Sequence, residues 1–149
     1  MTEHVAAANS AAETRAIGID LATRLQAGDV VLLRGDLGAG KTTLAQGIAR
    51  GLGVDGPVQS PTFTLIAEYP AAQLGQGGRF VHVDLYRLEG DAELRSIGLD
   101  ECFDCSDCIT VIEWPDRAGA SEYPRHWSVW LESVGVDARR ITIREPDDD

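Results

Sequence analysis

A chain of 149 residues, 44% of them hydrophobic, has material for one compact domain and little more. Its formal net charge of −11 argues against a protein that grips a nucleic-acid backbone unaided, because phosphate contacts need clustered Lys and Arg and the arginines here are scattered. No apolar stretch is long enough to span a membrane, and residues 1–12 lack the basic and apolar regions of a signal peptide, so a cytoplasmic enzyme is the expectation.

In chain order, Ser10-Ala11-Ala12-Glu13 has the form of a capping box, in which hydroxyl and carboxylate satisfy the free N–H groups of a helix start. Ile17, Leu21 and Leu25 then recur one helical turn apart, predicting a helix that Gly28 ends and whose apolar stripe covers a sheet. Residues 29–34 are an apolar run suited to a buried strand, and residues 43–50 continue with helical spacing. Asp55-Gly56-Pro57 breaks the chain, and residues 62–69 have strand character. Gly75-Gln76-Gly77-Gly78 turns them toward a second strand at residues 79–84, a hairpin pattern. Asp91-Ala92-Glu93-Leu94 opens a short helix before Gly98. Residues 108–113, 127–134 and 140–144 are further strands, with Gly135 at the turn between the last two. These elements predict a single α/β domain, a P-loop NTPase-like mixed β-sheet flanked by helices, with antiparallel strands toward the C-terminus. Its N-terminal end is expected to be short and flexible and its C-terminal end, residues 145–149, to be a solvated acidic tail.

The chemistry starts between the first strand and the second helix. Gly35-Asp36-Leu37-Gly38-Ala39-Gly40-Lys41-Thr42 satisfies the phosphate-binding pattern G-x-x-x-x-G-K-[ST], and Lys41 is the only lysine in the chain. The glycines let the backbone curl so that successive N–H groups face phosphate oxygens, and the following helix adds its positive N-terminal end. Asp36 to Thr43 thereby become nucleotide-binding candidates, with Lys41 reaching the β- and γ-phosphates of ATP and the Thr42 hydroxyl ligating Mg²⁺. Strand, loop and helix follow in the order this motif requires. Such a site also needs carboxylates at strand ends, and two qualify: Asp84 after the alternating 80–83 segment, and Glu113 closing the apolar run 109–112.

These blocks then fall into a recognisable series. The phosphate loop, Ser60-Pro61-Thr62-Phe63-Thr64-Leu65, His82-Val83-Asp84-Leu85-Tyr86-Arg87-Leu88 and Ile112-Glu113-Trp114 resemble, in order, the signature blocks of the bacterial TsaE (YjeE) family. The resemblance implies an ATPase required for threonylcarbamoyladenosine modification of tRNA, which regulates or resets the TsaD and TsaB proteins and reaches tRNA only through them. It also implies roles for particular residues. Thr42 and Glu113 resemble the Mg²⁺ ligands, Asp84 acts near the metal or the attacking water, and Thr62 senses the γ-phosphate from a switch-like loop. On the same resemblance the adenine lies near Ala11 to Thr14 and near Arg139.

The remaining residues have competing uses. Pro61 biases its neighbours toward extended geometry, which constrains Thr62, although threonine also suits a plain strand. Trp114 either packs on the switch region or a partner, or fills the core. Arg87 is open to an arginine-finger role or, more commonly, a structural salt bridge. His82 alternates in phase with Asp84, so both face one side of the sheet, where a satisfied histidine is favoured over a general base. Cys102, Cys105 and Cys108 are spaced C-x-x-C-x-x-C, but a thiolate metal site lacks a fourth cysteine unless His126 or a carboxylate supplies it. Free thiols are the expected state, with a regulatory disulfide as the alternative. Two other functions compete with the ATPase: a small-molecule kinase, for which no insertion resembles a phosphate-covering lid, and a nucleotide-sensing module without turnover. A guanine-specific switch needs N-K-x-D, which the only asparagine, Asn9, and the only lysine cannot form.

Overall fold

The computed structural model describes residues 2–59, 65–87, 98–118 and 123–146. Seven strands form one mixed sheet: β1 (Glu3–Ala8), β2 (Val30–Gly35), β3 (Ile66–Pro70), β4 (Arg79–Asp84), β5 (Cys108–Glu113), β6 (Trp127–Ser133) and β7 (Arg139–Arg144). Their order across the sheet is β1-β7-β6-β2-β5-β4-β3. The middle four, β6, β2, β5 and β4, run parallel, while β3 joins β4 and β7 joins β6 as antiparallel neighbours. Both expected hairpins are therefore present.

The apolar run of β2 is central because it is buried on both faces. Val31 and Leu33 meet the helices α1 (Ala11–Ala22) and α2 (Lys41–Gly51) together with Ile109, Val111, Val129 and Ile141. Val30 and Leu32 pack on the opposite face with Val83, Ile112 and Leu99, the last from the short helix α3 (Leu99–Phe103). Parallel strands covered on both sides need this continuous hydrophobicity. The two helices cross at glycines: a Cβ at Gly18 would lie 2.5 Å from the Leu44 carbonyl oxygen, so only the absent side chain permits the approach. That contact seats α2, and with it the phosphate loop, against the sheet. None of the described helices is long and apolar enough to cross a membrane.

Three expectations change. The capping box forms, with the Glu13 N–H donating to Ser10 Oγ at 3.1 Å, but α1 ends at Ala22 and not at Gly28. Tighter turns follow it, Arg24 N–H to the Leu21 carbonyl and Leu25 N–H to the Ala22 carbonyl, so Leu25 reaches the core from outside the helix. The N-terminal end expected to be flexible is strand β1, paired along β7 from Glu3 opposite Arg144 to Ala8 opposite Arg139 and held by an Arg144–Glu3 ion pair at 2.9 Å. Its alanine-rich sequence has little strand propensity; the partner supplies the ladder bonds. The thiols expected to be free are not all free: Cys105 and Cys108 form a disulfide, leaving Cys102 unbridged. Two sulfurs joined to each other also remove the ligand set of a thiolate metal site. The predicted helix at residues 91–94 and the acidic residues 147–149 lie outside the described residues.

Candidate functional site

The loop between β2 and α2 is shaped by glycines in conformations that other residues rarely adopt. Gly38 and Gly40 have φ of 83° and 101°, and Gly40 is the residue on which α2 starts. At Gly35 a Cβ would meet the Leu131 carbonyl oxygen at 2.5 Å, so the chain leaves β2 pressed against β6. A glycine-shaped curl at a helix N-terminus is a geometry in which backbone N–H groups can receive an anion.

Lys41 opens α2 only 4% exposed. Its Nζ donates to the carbonyls of Gly35 and Asp36, the latter at 3.0 Å, and lies 3.8 Å from the centre of the Trp114 ring. Burial pulls its pKa below the ordinary lysine value, against the opposing fields of Glu113, Asp84 and Asp36. At the next residue, Thr42 Oγ1 donates to the Glu113 carboxylate, 3.1 Å from both of its oxygens. Glu113, 2% exposed, ends β5 beside Asp84, which ends β4 in direct register with it. Burial raises the Asp84 pKa above the usual carboxylate range and neighbouring Glu113 adds to the rise, while the Tyr86 N–H donating to Oδ1 at 3.0 Å opposes it. Hydroxyl and carboxylate oxygens are the hard donors that Mg²⁺ prefers, and the buried ammonium beside the curled loop suits phosphate, so this set fits a Mg²⁺-nucleotide.

A cleft of about 270 Å³ gathers Leu37, Gly38, Gly40, Lys41, Thr42, Thr43, Asp84, Tyr86, Glu113 and Trp114. It lies where the parallel strands β5 and β4 end, the position at which open α/β sheets bind ligands. Trp114 follows Glu113 with φ of 59°, the single described non-glycine residue at positive φ, and this turn lays its indole against Lys41 and 5.1 Å from the Tyr86 ring. Nothing in its residue type foretells that conformation. Arg87 is exposed, whereas Arg117 lies 5.1 Å from the Tyr86 ring centre. Thr62 lies outside the described residues.

The segments expected near the adenine, Ala11 to Thr14 and Arg139, both lie against the loop between β2 and α2. Ala11 is exposed in the first turn of α1, whose Thr14 methyl lies 3.7 Å from where a Cβ of Gly40 would stand. Arg139, at the start of β7, spends its guanidinium on backbone: Nε donates to the Ala39 carbonyl at 3.1 Å, Nη2 to Gly38 at 3.2 Å, and Nη1 to Ala138 at 2.9 Å. It braces the outside of the phosphate loop against the β6–β7 turn. Removing the fork in Arg139→Met is expected to lower nucleotide affinity about tenfold, the worth of one charge-assisted bond, and Arg139→Lys, which cannot span both carbonyls, is expected to restore little. Titration with a fluorescent ADP analogue checks this, and wild-type affinity in Arg139→Met overturns it.

Comparison with known proteins gives a consistent result. Residues 8–141 match the family described as "Threonylcarbamoyl adenosine biosynthesis protein TsaE". A tRNA threonylcarbamoyladenosine biosynthesis protein TsaE of Streptomyces coelicolor is 50% identical over 67% of this chain and 66% of its own length. The protein of the same name from Mycobacterium tuberculosis is 42% identical over 87% of this chain and 79% of its own. The crystal structure of Bacillus subtilis YdiB superposes with a TM-score of 0.73 at 31% identity, covering 95% of this chain and 84% of that one. The family's motifs, its sequence along nearly the whole chain and its fold thus coincide, and the chain belongs to the TsaE family of threonylcarbamoyladenosine biosynthesis proteins.

Proposed function

We propose that this chain is a Mg²⁺-dependent ATPase serving tRNA threonylcarbamoyladenosine modification, and that its nucleotide cycle regulates or resets a TsaB–TsaD assembly in the cytoplasm. The observation that carries this reading is the convergence of Lys41, Thr42, Glu113 and Asp84 in one cleft, on a chain of this family. Lys41 holds the β- and γ-phosphates after leaving the carbonyls of Gly35 and Asp36. Thr42 and Glu113 would hold the magnesium ion, with Asp84 beside them, and the ion would supply neutralisation of the charge on the phosphate oxygens. Asp84, its pKa raised by burial, is suited to orient the attacking water and to accept its proton. Thr62 senses the γ-phosphate, so that the ATP-bound form docks on the partners more tightly than the ADP-bound form.

The acidic balance of −11 supports indirect access to tRNA, since the chain itself repels a polyanion. The deciding experiment is phosphate release by the purified protein, alone and with TsaB and TsaD added. Slow turnover alone and large stimulation by the pair is the expected result, with inorganic phosphate as the sole new phosphoryl product in phosphorus NMR. A phosphorylated metabolite formed in step with ADP makes the chain a kinase, and nucleotide binding without turnover in any mixture makes it a sensor.

A further inference from the structure

His82 is the most buried ionisable side chain beside the cleft, 0% exposed in the middle of β4, and neither nucleotide binding nor hydrolysis as described above uses it. Its neighbours Val81 and Val83 point to the opposite face of the sheet, and on its own face the Phe80 ring lies 6.1 Å away. An apolar residue would fill such a place without a polar group to satisfy. Among the described residues the imidazole makes one polar contact, from Nε2 to Glu113 Oε2 at 2.6 Å, and Nδ1 has no hydrogen-bond partner.

Glu113 already accepts from the Thr42 hydroxyl, so the carboxylate is the acceptor and Nε2 carries the hydrogen. With the hydrogen on Nε2, Nδ1 is the ring nitrogen left to offer a lone pair. The bond crosses from β4 to β5, where His82 lies opposite Val111 and Glu113 is two residues further along the same face. It anchors one oxygen of a buried carboxylate from a rigid strand, so that Glu113 does not depend on Thr42 alone for its orientation.

We infer that His82 is a positioning residue: its Nε2–H fixes the Glu113 carboxylate in the orientation that receives the magnesium ion. The inference rests on the reading of the cleft as a Mg²⁺-nucleotide site and adds to it the group that aims one of the ligands. Outer partners of metal ligands act in this way, and their loss commonly lowers metal affinity about 10- to 100-fold.

The test compares ADP affinity with and without Mg²⁺, by titration calorimetry, in wild type and in His82→Leu, His82→Gln and His82→Asn. Glutamine places an amide N–H near the position of Nε2, whereas asparagine reaches only that of Nδ1. In wild type Mg²⁺ is expected to tighten ADP binding. In His82→Leu and His82→Asn that Mg²⁺-dependent gain is expected to fall about tenfold or more. Mg²⁺-free affinity should hold, because Lys41 and the loop backbone supply it. His82→Gln restores the gain, and His82→Leu has no further effect in a Glu113→Ala background.

A second readout needs no ligand: in ring-¹⁵N-labelled wild type, the histidine signal that disappears in His82→Gln shows Nε2 protonated and Nδ1 bare. A folded His82→Leu or His82→Asn with the wild-type Mg²⁺ gain overturns the inference, and so does an effect that persists undiminished without Glu113. If His82→Leu does not fold, His82→Asn against His82→Gln decides. If Mg²⁺ gives no gain in wild type, the Mg²⁺-nucleotide reading falls and this inference with it; a gain in wild type left intact by the variants removes the inference alone.

Discussion

Lys41→Ala is expected to bind ATP·Mg²⁺ about one hundredfold more weakly than wild type, as the loss of charge-assisted bonds to two phosphates worth about 3 kcal/mol requires. The chain has no other lysine to substitute, and the arginines nearest in function are engaged elsewhere: Arg139 on the loop's outer carbonyls and Arg34 in an ion pair with Asp116 at 3.2 Å. Removal also leaves Asp84, Glu113 and Asp36 without the cation whose field they share, so the cleft becomes more repulsive to an anion as well as less attractive. Lys41→Arg is expected to rescue only in part, because a planar guanidinium does not reproduce the compact point charge of the ammonium that donates to the Gly35 and Asp36 carbonyls. Titration calorimetry reads the effect directly. Wild-type affinity in a folded Lys41→Ala would place the nucleotide elsewhere.

What could be read from the sequence was whatever depends on short-range pattern. The phosphate loop declared itself because its glycines answer a local conformational need, and β2 and β5 because strands buried on both faces must be continuously apolar. Asp84 and Glu113 are legible as acids at strand ends, Glu113 after a continuous apolar run and Asp84 after an alternating segment. Failures came where a distant partner decides the outcome. Strand β1 has no apolar alternation, and only its ladder with β7 makes it a strand. Leu25 continues the helical spacing, yet it belongs to a turn, and Gly28, although at φ of 97°, serves a different junction through its N–H to the Cys108 carbonyl at 2.7 Å.

The site shows the same division. That His82 and Asp84 share a face follows from the period of a strand, but the bond from His82 to Glu113 needs β4 beside β5 in one particular register. Arg139 contacts a loop one hundred residues earlier in the chain, which no spacing rule relates to it. Trp114 adopts positive φ without being glycine or asparagine, so its place against Lys41 has no local signature. Sequence patterns point to candidate groups for the chemistry; the sheet order determines which side chains lie against them.

The acids divide the remaining effect. With partners present to stimulate turnover, Asp84→Ala is expected to lower kcat about 10²-fold or more, the usual worth of a positioned proton acceptor, while nucleotide affinity changes little because Asp84 is not a principal phosphate contact. Glu113→Ala is expected to lower kcat as well and to raise the Mg²⁺ concentration needed for half-maximal rate, since it removes the proposed ligand together with the acceptor of both Thr42 and His82. The pH profile separates the two. Asp84 must be ionised to accept a proton, and burial holds its pKa above the usual carboxylate range, so in wild type kcat/KM falls as pH drops through that raised value. In Asp84→Asn the surviving rate loses this acid limb. A rate for Asp84→Ala equal to wild type, or an unchanged acid limb in Asp84→Asn, would take Asp84 out of the reaction and leave Glu113 as the sole acid at the site.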